Sequence, residues 1–348
     1  MNLRLWVLLA VSACANHGSS NPQSTDPALP QVRESDVRAE LSALADDSME
    51  GRATASPGSL RAARYLAGRF TAFGLVAMGD SGYLQRVPIG RAARGGNQPA
   101  ILRLLDSTGS RVPSESQRVF GYNVVGVVRG SDPALKDQAV LVDAHYDHLG
   151  IGKPVAGDSI YNGADDDASG VVAVLEIARA MARGPAPKRT VIFLATTGEE
   201  VGLLGTRWYI KHPVVPLEKM VANMEIEMIG RPDSLAGGAG KGWLTGFDRS
   251  SMGPSFKAAG LPIAPDPRPD QEFFQRSDNI AFAWRGIPAH TLSSYNMHTD
   301  YHEPSDEVSR VDFPHMTKII QAGVAAVRIL ADGPAPTWNP GGQPKPPQ

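Results

Sequence analysis

Apolar residues recur along this chain with two different spacings. Residues 35–47 and 58–74 carry them at helical spacing, and the second segment ends at Gly74, a residue type that commonly ends a helix. Four later stretches are short, apolar and rich in β-branched residues, which is typical of buried strands. These stretches read NVVGVVRG, QAVLVDAHY, TVIFLATT and VANMEIEMI.

One more helix is predicted between the second and third of these strands, over residues 168–184. Its apolar residues trace one face, and Gly184 closes it. The residues of that face are Val171, Val174, Leu175, Ala178 and Met181. The alternation of buried strands with helices predicts an α/β fold class, with a central mixed, mostly parallel β-sheet flanked by helices. Open sheets of this kind place ligand crevices at the carboxyl ends of their strands.

The beginning of the chain resembles an export signal. Arg4 is followed by the apolar run LWVLLAVSA, which is well short of the roughly 20 residues that span a bilayer. Cys14 comes next, and residues 11–13 resemble the lipobox of bacterial lipoproteins. We therefore expect a signal peptide over 1–13, then a lipidated Cys14 and a flexible tether over 14–33. The predicted location is the bacterial cell envelope, facing the periplasm or the exterior, and plain secretion is the alternative.

A single domain is expected between the two polar ends. It spans 34–332, and the Pro- and Gly-rich tail over 333–348 is expected to be disordered. Hydrophobic residues make up 42% of the 348 residues, which is enough for a sizeable core, and the single cysteine allows no disulfide within the chain. The formal net charge of -2 creates no field that would attract nucleic acid or an anionic membrane surface. No nucleic-acid partner is therefore expected, and membrane contact is expected only through Cys14. Function must therefore come from a local site.

Side chains of metal-binding type cluster at the ends of the predicted strands. Each cluster alone has an ordinary explanation. Asp167 could cap the next helix, and Glu199 and Glu200 could be stabilised by the helix dipole at the N-terminus of a helix. Their coincidence at the sheet ends needs another explanation. Imidazole and carboxylate ligands together suit zinc, and two zinc ions that share a carboxylate promote hydrolysis. The clustered residues are His145, Asp147, His148, Asp165, Asp166, Asp167, Glu199, Glu200, Glu225, Glu227, His298, His302 and Asp306.

Six motifs in order resemble one known family. They read AHYDHLG, NGADDDASG, GEEVGLLGT, EIEMIG, RSDNIAFAWRGIPA and YHEPSDE, and the upstream segment MEGRATASPGSLRAARYLAGRF fits as well. The chain resembles, over residues 35–330, the co-catalytic zinc aminopeptidases of peptidase family twenty-eight, which are related to bacterial leucyl aminopeptidases and glutamate carboxypeptidases. The resemblance implies a three-layer α/β/α zinc-exopeptidase fold, two Zn²⁺ per chain, and hydrolysis of the N-terminal peptide bond of peptide substrates.

The resemblance also implies a role for individual residues. Glu199 would be the general base, and Asp147 would hydrogen-bond His145 to fix its tautomer. The peptide between Asp166 and Asp167 would be cis. The implied ligands are His145 and Glu227 for the first zinc, Glu200 and His302 for the second, and Asp166 as the bridge between them.

Some positions near these ligands are less directly matched. Glu227 stands where most members of the family have Asp, and Glu225, two residues earlier, is its rival. His148 and His298 are not expected to be ligands. Two tyrosines near the last ligand, Tyr295 and Tyr301, are candidates to donate a hydrogen bond to the reacting substrate or to pack at the rim.

Alternatives to an aminopeptidase remain open. Arginines in suitable motifs would support glutamate-carboxypeptidase-like or dipeptidase activity, since they could bind an acidic substrate end; they are Arg207, Arg276 and Arg285. A cyclase is disfavoured because related cyclases use one zinc. A catalytically inactive receptor or binding module on the same fold is the alternative outside the enzymes, and the filled ligand set argues against it.

Overall fold

The computed structural model describes residues 29–93, 100–105 and 118–346. The predicted signal peptide and Cys14 lie outside these residues. Within the described ranges, no helix combines the length and the apolar character needed to span a bilayer.

The described part of the chain contains twelve strands. They are β1 (Val76–Ala77), β2 (Leu84–Ala92), β3 (Ile101–Leu104), β4 (Arg118–Val128), β5 (Ala139–His145), β6 (Gly150–Val155), β7 (Asp158–Tyr161), β8 (Thr190–Thr196), β9 (Met220–Glu227), β10 (Gly242–Leu244), β11 (Ile263–Pro265) and β12 (Ala289–Ser293). β6 and β7 pair with each other, and the other ten form one sheet in the order β11-β10-β12-β9-β5-β8-β4-β2-β3, with β1 beside β4.

The sheet is mixed, with its parallel pairs at the centre. β12, β9, β5 and β8 run parallel, and β4, β2 and β3 continue the sheet antiparallel on one side. On the other side β10 is antiparallel to β12 and parallel to β11. The predicted α/β fold, a mixed sheet flanked by helices, is confirmed.

Seven α-helices accompany the strands in the described residues. They are α1 (Glu34–Leu44), α2 (Pro57–Phe73), α3 (Gly170–Arg183), α4 (Leu204–Lys211), α5 (Met252–Ala258), α6 (Asn279–Ala283) and α7 (Phe313–Asp332). α1, α2, α3 and α7 contribute to the apolar core on one face of the sheet, and α4 and α6 to a second core. The sequence assigned α3 one apolar face, but it is buried almost all round because α1, α2 and α7 cover the sides turned away from the sheet.

The carboxyl-terminal tail differs from the expected disordered segment. The Trp338 indole donates to the Gly286 carbonyl oxygen at 2.9 Å, and its ring lies 5.6 Å from the His290 ring. The Ser251 N–H donates to the main-chain oxygen of Thr337 at 2.9 Å, and the Thr337 N–H donates to the Ser251 hydroxyl at 3.0 Å. The tail is held because it carries a large aromatic side chain that packs on the second core.

A buried polar network joins α1, α2 and α3. Glu40 is 2% exposed, and one of its oxygens accepts hydrogen bonds from Arg69 at 2.6 and 3.0 Å. Glu176 of α3 lies nearby and pairs with Arg179. Burial and the charge of Glu176 raise the pKa of Glu40 to about 7, and the pairing with Arg69 offsets only part of this shift.

We expect Glu40→Gln to change the pH dependence of stability. An unfolded glutamate ionises near pH 4.5, whereas folded Glu40 keeps its proton to about pH 7, so the wild type loses stability as the pH rises between these values. The free energy of unfolding of Glu40→Gln minus that of the wild type should be about 2 kcal/mol larger at pH 8 than at pH 5. Urea denaturation of both proteins at the two pH values measures this difference.

The matched control is Glu34→Gln on the same helix, where the side chain is 42% exposed. This control should follow the wild-type pH profile. If Glu40→Gln follows it as well, the raised pKa of Glu40 is contradicted.

Candidate metal centre

The carboxyl ends of three central strands form one edge of the sheet. β5, β8 and β9 run parallel, so these ends lie side by side. The irregular turn Ala164–Ser169, just before α3, and the loop after β12 reach the same edge. Six of the predicted site residues therefore come together there: His145, Asp166, Glu199, Glu200, Glu227 and His302.

A first ligand group consists of His145, Asp166 and Glu227. The Nε2 atom of His145 lies 3.4 Å from Oδ1 of Asp166 and 3.9 Å from Oε1 of Glu227. This Nε2 atom is buried and has no hydrogen-bond partner among the described residues. An unpaired buried nitrogen that faces two carboxylates is what a bound cation would satisfy.

A second ligand group consists of His148, Asp166, Glu200 and His302. Nε2 of His302 lies 3.1 Å from Oδ2 of Asp166 and 3.3 Å from Oε2 of Glu200. Nδ1 of His148 lies 2.8 Å from the other Glu200 oxygen, Oε1. One ligand atom from each of these four residues lies within 4.8 Å of those of the other three.

Asp166 is shared by both groups. Its Oδ1 atom faces His145 and its Oδ2 atom faces His302, so one carboxylate lies between the two candidate sites. Burial opposes its ionisation, but the neighbouring imidazoles of His145, His148 and His302 hold the pKa of Asp166 well below its usual range. It is therefore an anionic bridge.

The other two aspartates of the trio hold the main chain. Asp167 accepts from the Gly170 N–H at the start of α3 and from the Met228 N–H, each at 3.0 Å. Oδ1 of Asp165 accepts from the Gly230 N–H at 2.6 Å. Both residues thus attach the turn before α3 to the segment that follows β9.

Asp306 holds the same turn from the opposite side. Its carboxylate accepts from the main-chain N–H groups of Asp165 and Asp166 at 3.0 Å, and it contacts Arg231 at 3.2 Å. Asp306 is therefore a support for the turn, and it belongs to neither ligand group. The peptide between Asp166 and Asp167 is cis, as the resemblance implied.

Asp147 makes different contacts from those predicted. Nδ1 of His145 lies 3.1 Å from the main-chain oxygen of Asp147, so the carbonyl and not the carboxylate faces the imidazole. The carboxylate accepts from the Thr54 hydroxyl at 2.6 Å and from the Glu199 N–H at 3.2 Å. The predicted side-chain contact is wrong because the chain turns after β5 and directs the carboxylate toward the loop that follows β8.

Glu225 belongs to a different hydrogen-bond set from Glu227. Its oxygens accept from the N–H groups of Asp278 and Asn279 at 3.0 and 3.1 Å and from the Thr291 hydroxyl at 2.7 Å. These contacts fix the beginning of α6 against β12. Glu227, two residues further along β9, is the residue that reaches His145.

The two histidines left out of the predicted ligand set have separate positions. Nε2 of His298 lies 3.0 Å from Oδ2 of Asp165 and supports that carboxylate. His148 lies among the residues of the second group, with Nδ1 2.8 Å from Oε1 of Glu200, and the expectation that it is not a ligand stays a prediction. The signal for it was the second histidine in AHYDHLG, three residues after His145.

A pocket with aromatic walls opens beside Glu227. Tyr301 stacks on His302 with ring centroids 3.9 Å apart, and Tyr295 lies 5.4 Å from Tyr301. The pocket also contains Trp243, Phe273 and Arg276. Arg207 and Arg285 line a different cleft, with Trp284.

Glu199 is next to Glu200 but outside both ligand groups. Partial burial raises the pKa of Glu199 well above its ordinary value; His145 opposes this shift and Glu227 adds to it. A carboxyl group with a raised pKa accepts a proton more readily than an ordinary glutamate does.

The donor atoms fit a metal such as zinc. Both groups combine imidazole nitrogens with carboxylate oxygens, a set that zinc and related divalent ions accept. The unpaired Nε2 of His145 supports the same conclusion. Residues of each group would hold one ion.

Comparison with known proteins identifies the family. The model described as Peptidase family M28 matches residues 123–327, more than half of the chain. The chain therefore belongs to peptidase family M28, which confirms the resemblance seen in the motifs.

Individual relatives match shorter stretches. A probable leucine aminopeptidase 2 of Aspergillus oryzae is 32% identical over 187 residues, covering 51% of this chain and 34% of that protein. A vacuolar membrane protease of Tuber melanosporum is 36% identical over 119 residues, covering 32% and 11%. The chain thus spans about a third or less of the length of these curated relatives.

Solved structures share the fold. An aminopeptidase from Aneurinibacillus sp. strain AM-1 aligns with a TM-score of 0.61 at 15% identity, covering 89% of this chain and 97% of that one. BSAP, a zinc aminopeptidase from Bacillus subtilis, aligns with a TM-score of 0.63 at 14% identity, covering 88% and 97%.

We expect Asp166→Asn to reduce metal binding at both ligand groups, because both use this carboxylate. Glu200→Gln should affect only the second group. Zinc per chain after equilibrium dialysis, measured by plasma mass spectrometry, should fall further in Asp166→Asn than in Glu200→Gln. Wild-type zinc content in Asp166→Asn would show that Asp166 is not a shared ligand.

Proposed function

We propose that this protein is a zinc-dependent exopeptidase, an aminopeptidase that hydrolyses the N-terminal peptide bond of peptides with two zinc ions per chain. The observation that carries the proposal is the Asp166 carboxylate, which faces a separate group of ligands with each oxygen. Membership of peptidase family M28 supports the peptidase chemistry.

The residues divide into ligands and a proton carrier. One ion would be held by the first ligand group and the other by the second. When bound, such a pair lowers the pKa of a water molecule toward neutrality and polarises the substrate carbonyl. The protein's own contribution is to fix the ligand geometry and to move the proton.

Glu199 is proposed as the general base. Its carboxylate lies beside the ligand groups without belonging to them, and its raised pKa suits a group that accepts a proton from the attacking water and returns it to the leaving amine. The hydrogen bond from the Glu199 N–H to Asp147 fixes the main chain at this residue. Asp147 therefore positions the base.

A second candidate is glutamate-carboxypeptidase-like or dipeptidase activity. The observation that favours it is Arg276, whose guanidinium lies 5.0 Å from the centre of the Phe273 ring in the pocket beside Glu227. A cation at this position could bind an acidic substrate end. The aromatic walls of the pocket favour the aminopeptidase, since they suit an apolar side chain of the first residue.

The location is proposed from the sequence. We propose an exported lipoprotein anchored through Cys14, on the evidence of the apolar run LWVLLAVSA before the cysteine. Metabolic labelling with palmitate should mark the wild type and not Cys14→Ala. Equal labelling of the two would contradict the anchor.

The choice between the two peptidase activities is testable with paired substrates. Amides and dipeptides with a free α-amine should be hydrolysed, and the same compounds acetylated at nitrogen should be poor substrates. Efficient hydrolysis of N-acetylated dipeptides with a terminal glutamate would instead favour the carboxypeptidase. Each rate is compared as kcat/KM in zinc-loaded protein.

Glu199→Gln should lower kcat at least about 10²-fold, because the amide cannot accept the proton. Zinc content should stay at the wild-type value, since Glu199 is outside both ligand groups. Glu218→Gln, at an exposed position before β9, is the control and should retain activity. A fully active Glu199→Gln would remove Glu199 from the mechanism.

A further inference from the structure

Arg52 is a buried arginine without a carboxylate partner within ion-pair distance in the described residues. Its side chain is completely buried, yet it lies on the connection between α1 and α2. Such a residue is costly to bury unless its donors are satisfied. The motif MEGRATASPG that contains it was matched to the family without any role in the site.

The guanidinium donates to four main-chain oxygens. Nε donates to Tyr146 at 2.7 Å, and Nη1 donates to Leu44 at 2.8 Å and Asn162 at 2.6 Å. Nη2 donates to Gly163 at 2.9 Å. The planar fork of an arginine can address several acceptors at once, whereas a lysine ammonium cannot span the same set.

Three of these acceptors adjoin the candidate ligands. Tyr146 follows His145 directly, and Gly163 comes three residues before Asp166. In addition, the main-chain oxygen of Arg52 accepts from the His148 N–H at 3.4 Å. One residue therefore contacts the segment 145–148, which contains His145 and His148, and the turn that carries the bridging aspartate.

The backbone of the segment is shaped for this contact. Glu50, Gly51 and Arg52 have φ values of 52°, 59° and 53°, in the left-handed region. A Cβ atom on Gly51 would lie 2.4 Å from the Tyr161 oxygen and 2.6 Å from the Gly150 oxygen. The glycine therefore lets the segment pass close to the β6–β7 hairpin, which connects the two ligand loops.

Arg52 also places a positive charge near the buried aspartates at this edge of the sheet. Burial lowers the pKa of Arg52 to about 10, with the charges of Asp306, Asp166 and Asp147 opposing this shift, so it remains a cation at neutral pH. Its charge favours the ionised form of carboxylates that would otherwise repel one another.

We infer that Arg52 is a positioning residue of the metal centre: it sets the spacing between the loop of His145 and the turn of Asp166 through their main-chain oxygens. The inference rests on the proposed two-zinc site. It predicts that changing Arg52 weakens zinc binding without removing any ligand.

The test compares Arg52→Lys with a matched variant, Arg189→Lys. Arg189 is 3% exposed and donates to the main-chain oxygens of Leu330 and Gly333, so it is a buried arginine of the same kind remote from the ligands. Zinc affinity of the metal-free proteins is measured by competition with a chromogenic chelator. Arg52→Lys should bind zinc about 10- to 100-fold more weakly, and Arg189→Lys should match the wild type.

Three further readouts separate positioning from general stabilisation. The increase in Tm on adding zinc should shrink in Arg52→Lys and stay unchanged in Arg189→Lys, even if both apo-proteins melt earlier. In the zinc-saturated enzyme, Arg52→Lys should lower kcat at least tenfold with KM within about threefold of the wild type. Methylguanidinium added to Arg52→Ala should restore part of the zinc affinity.

The outcomes also distinguish this inference from the proposed function. Wild-type zinc affinity in Arg52→Lys, with a loss of Tm equal to that of Arg189→Lys, would overturn the positioning role and leave the peptidase proposal intact. If the wild type itself binds no zinc in the same assay, both fail together. If Arg52→Lys does not fold, an absence of methylguanidinium rescue in Arg52→Ala overturns the inference.

Discussion

Repulsion among buried carboxylates is the constraint that the rest of this structure satisfies. The three consecutive aspartates and Asp306 are each no more than 2% exposed and lie at one edge of the sheet. Buried anions without partners cost several kcal/mol each. Main-chain N–H groups provide part of the compensation, since those of Gly170, Met228 and Gly230 all point at Asp165 or Asp167. The strand β9 must therefore end beside the turn that precedes α3.

The carboxylates outside the ligand set act on the main chain next to the ligands. Asp167 binds the N–H of the residue after Glu227, and Asp147 binds the N–H of Glu199. Asp306 binds the N–H of Asp166 itself. Because these bonds fix backbone atoms, the side chains of Glu227, Glu199 and Asp166 extend from main chain that a neighbouring carboxylate holds. The acidic edge thus contains two populations of acids, one facing the candidate sites and one that positions the first.

Sequence alone predicted the parts of this arrangement that follow from periodicity and chain order. Strands β4, β5, β8 and β9 and the helix α3 came from apolar patterns, and the edge where the ligands meet followed from the strand ends. The contacts that were missed depend on the course of loops, which periodicity does not encode. The turn after His145 sends the Asp147 carboxylate away from the imidazole and brings His148 toward Glu200. The packing of Trp338 was missed for another reason. A Pro- and Gly-rich composition predicts disorder even where one aromatic side chain packs against the core.

The position of Asp306 in the chain has a consequence for the order of assembly. The turn that carries Asp166 lies near the middle of the sequence, yet two of its N–H groups are satisfied only by a carboxylate about 140 residues later. During synthesis from the amino terminus, the sheet and α3 can begin to pack while those N–H groups still lack their acceptor. The acidic turn becomes complete only when the last third of the domain has been made, so a nascent or truncated chain ending before residue 306 carries most of the ligands without the support that orients them.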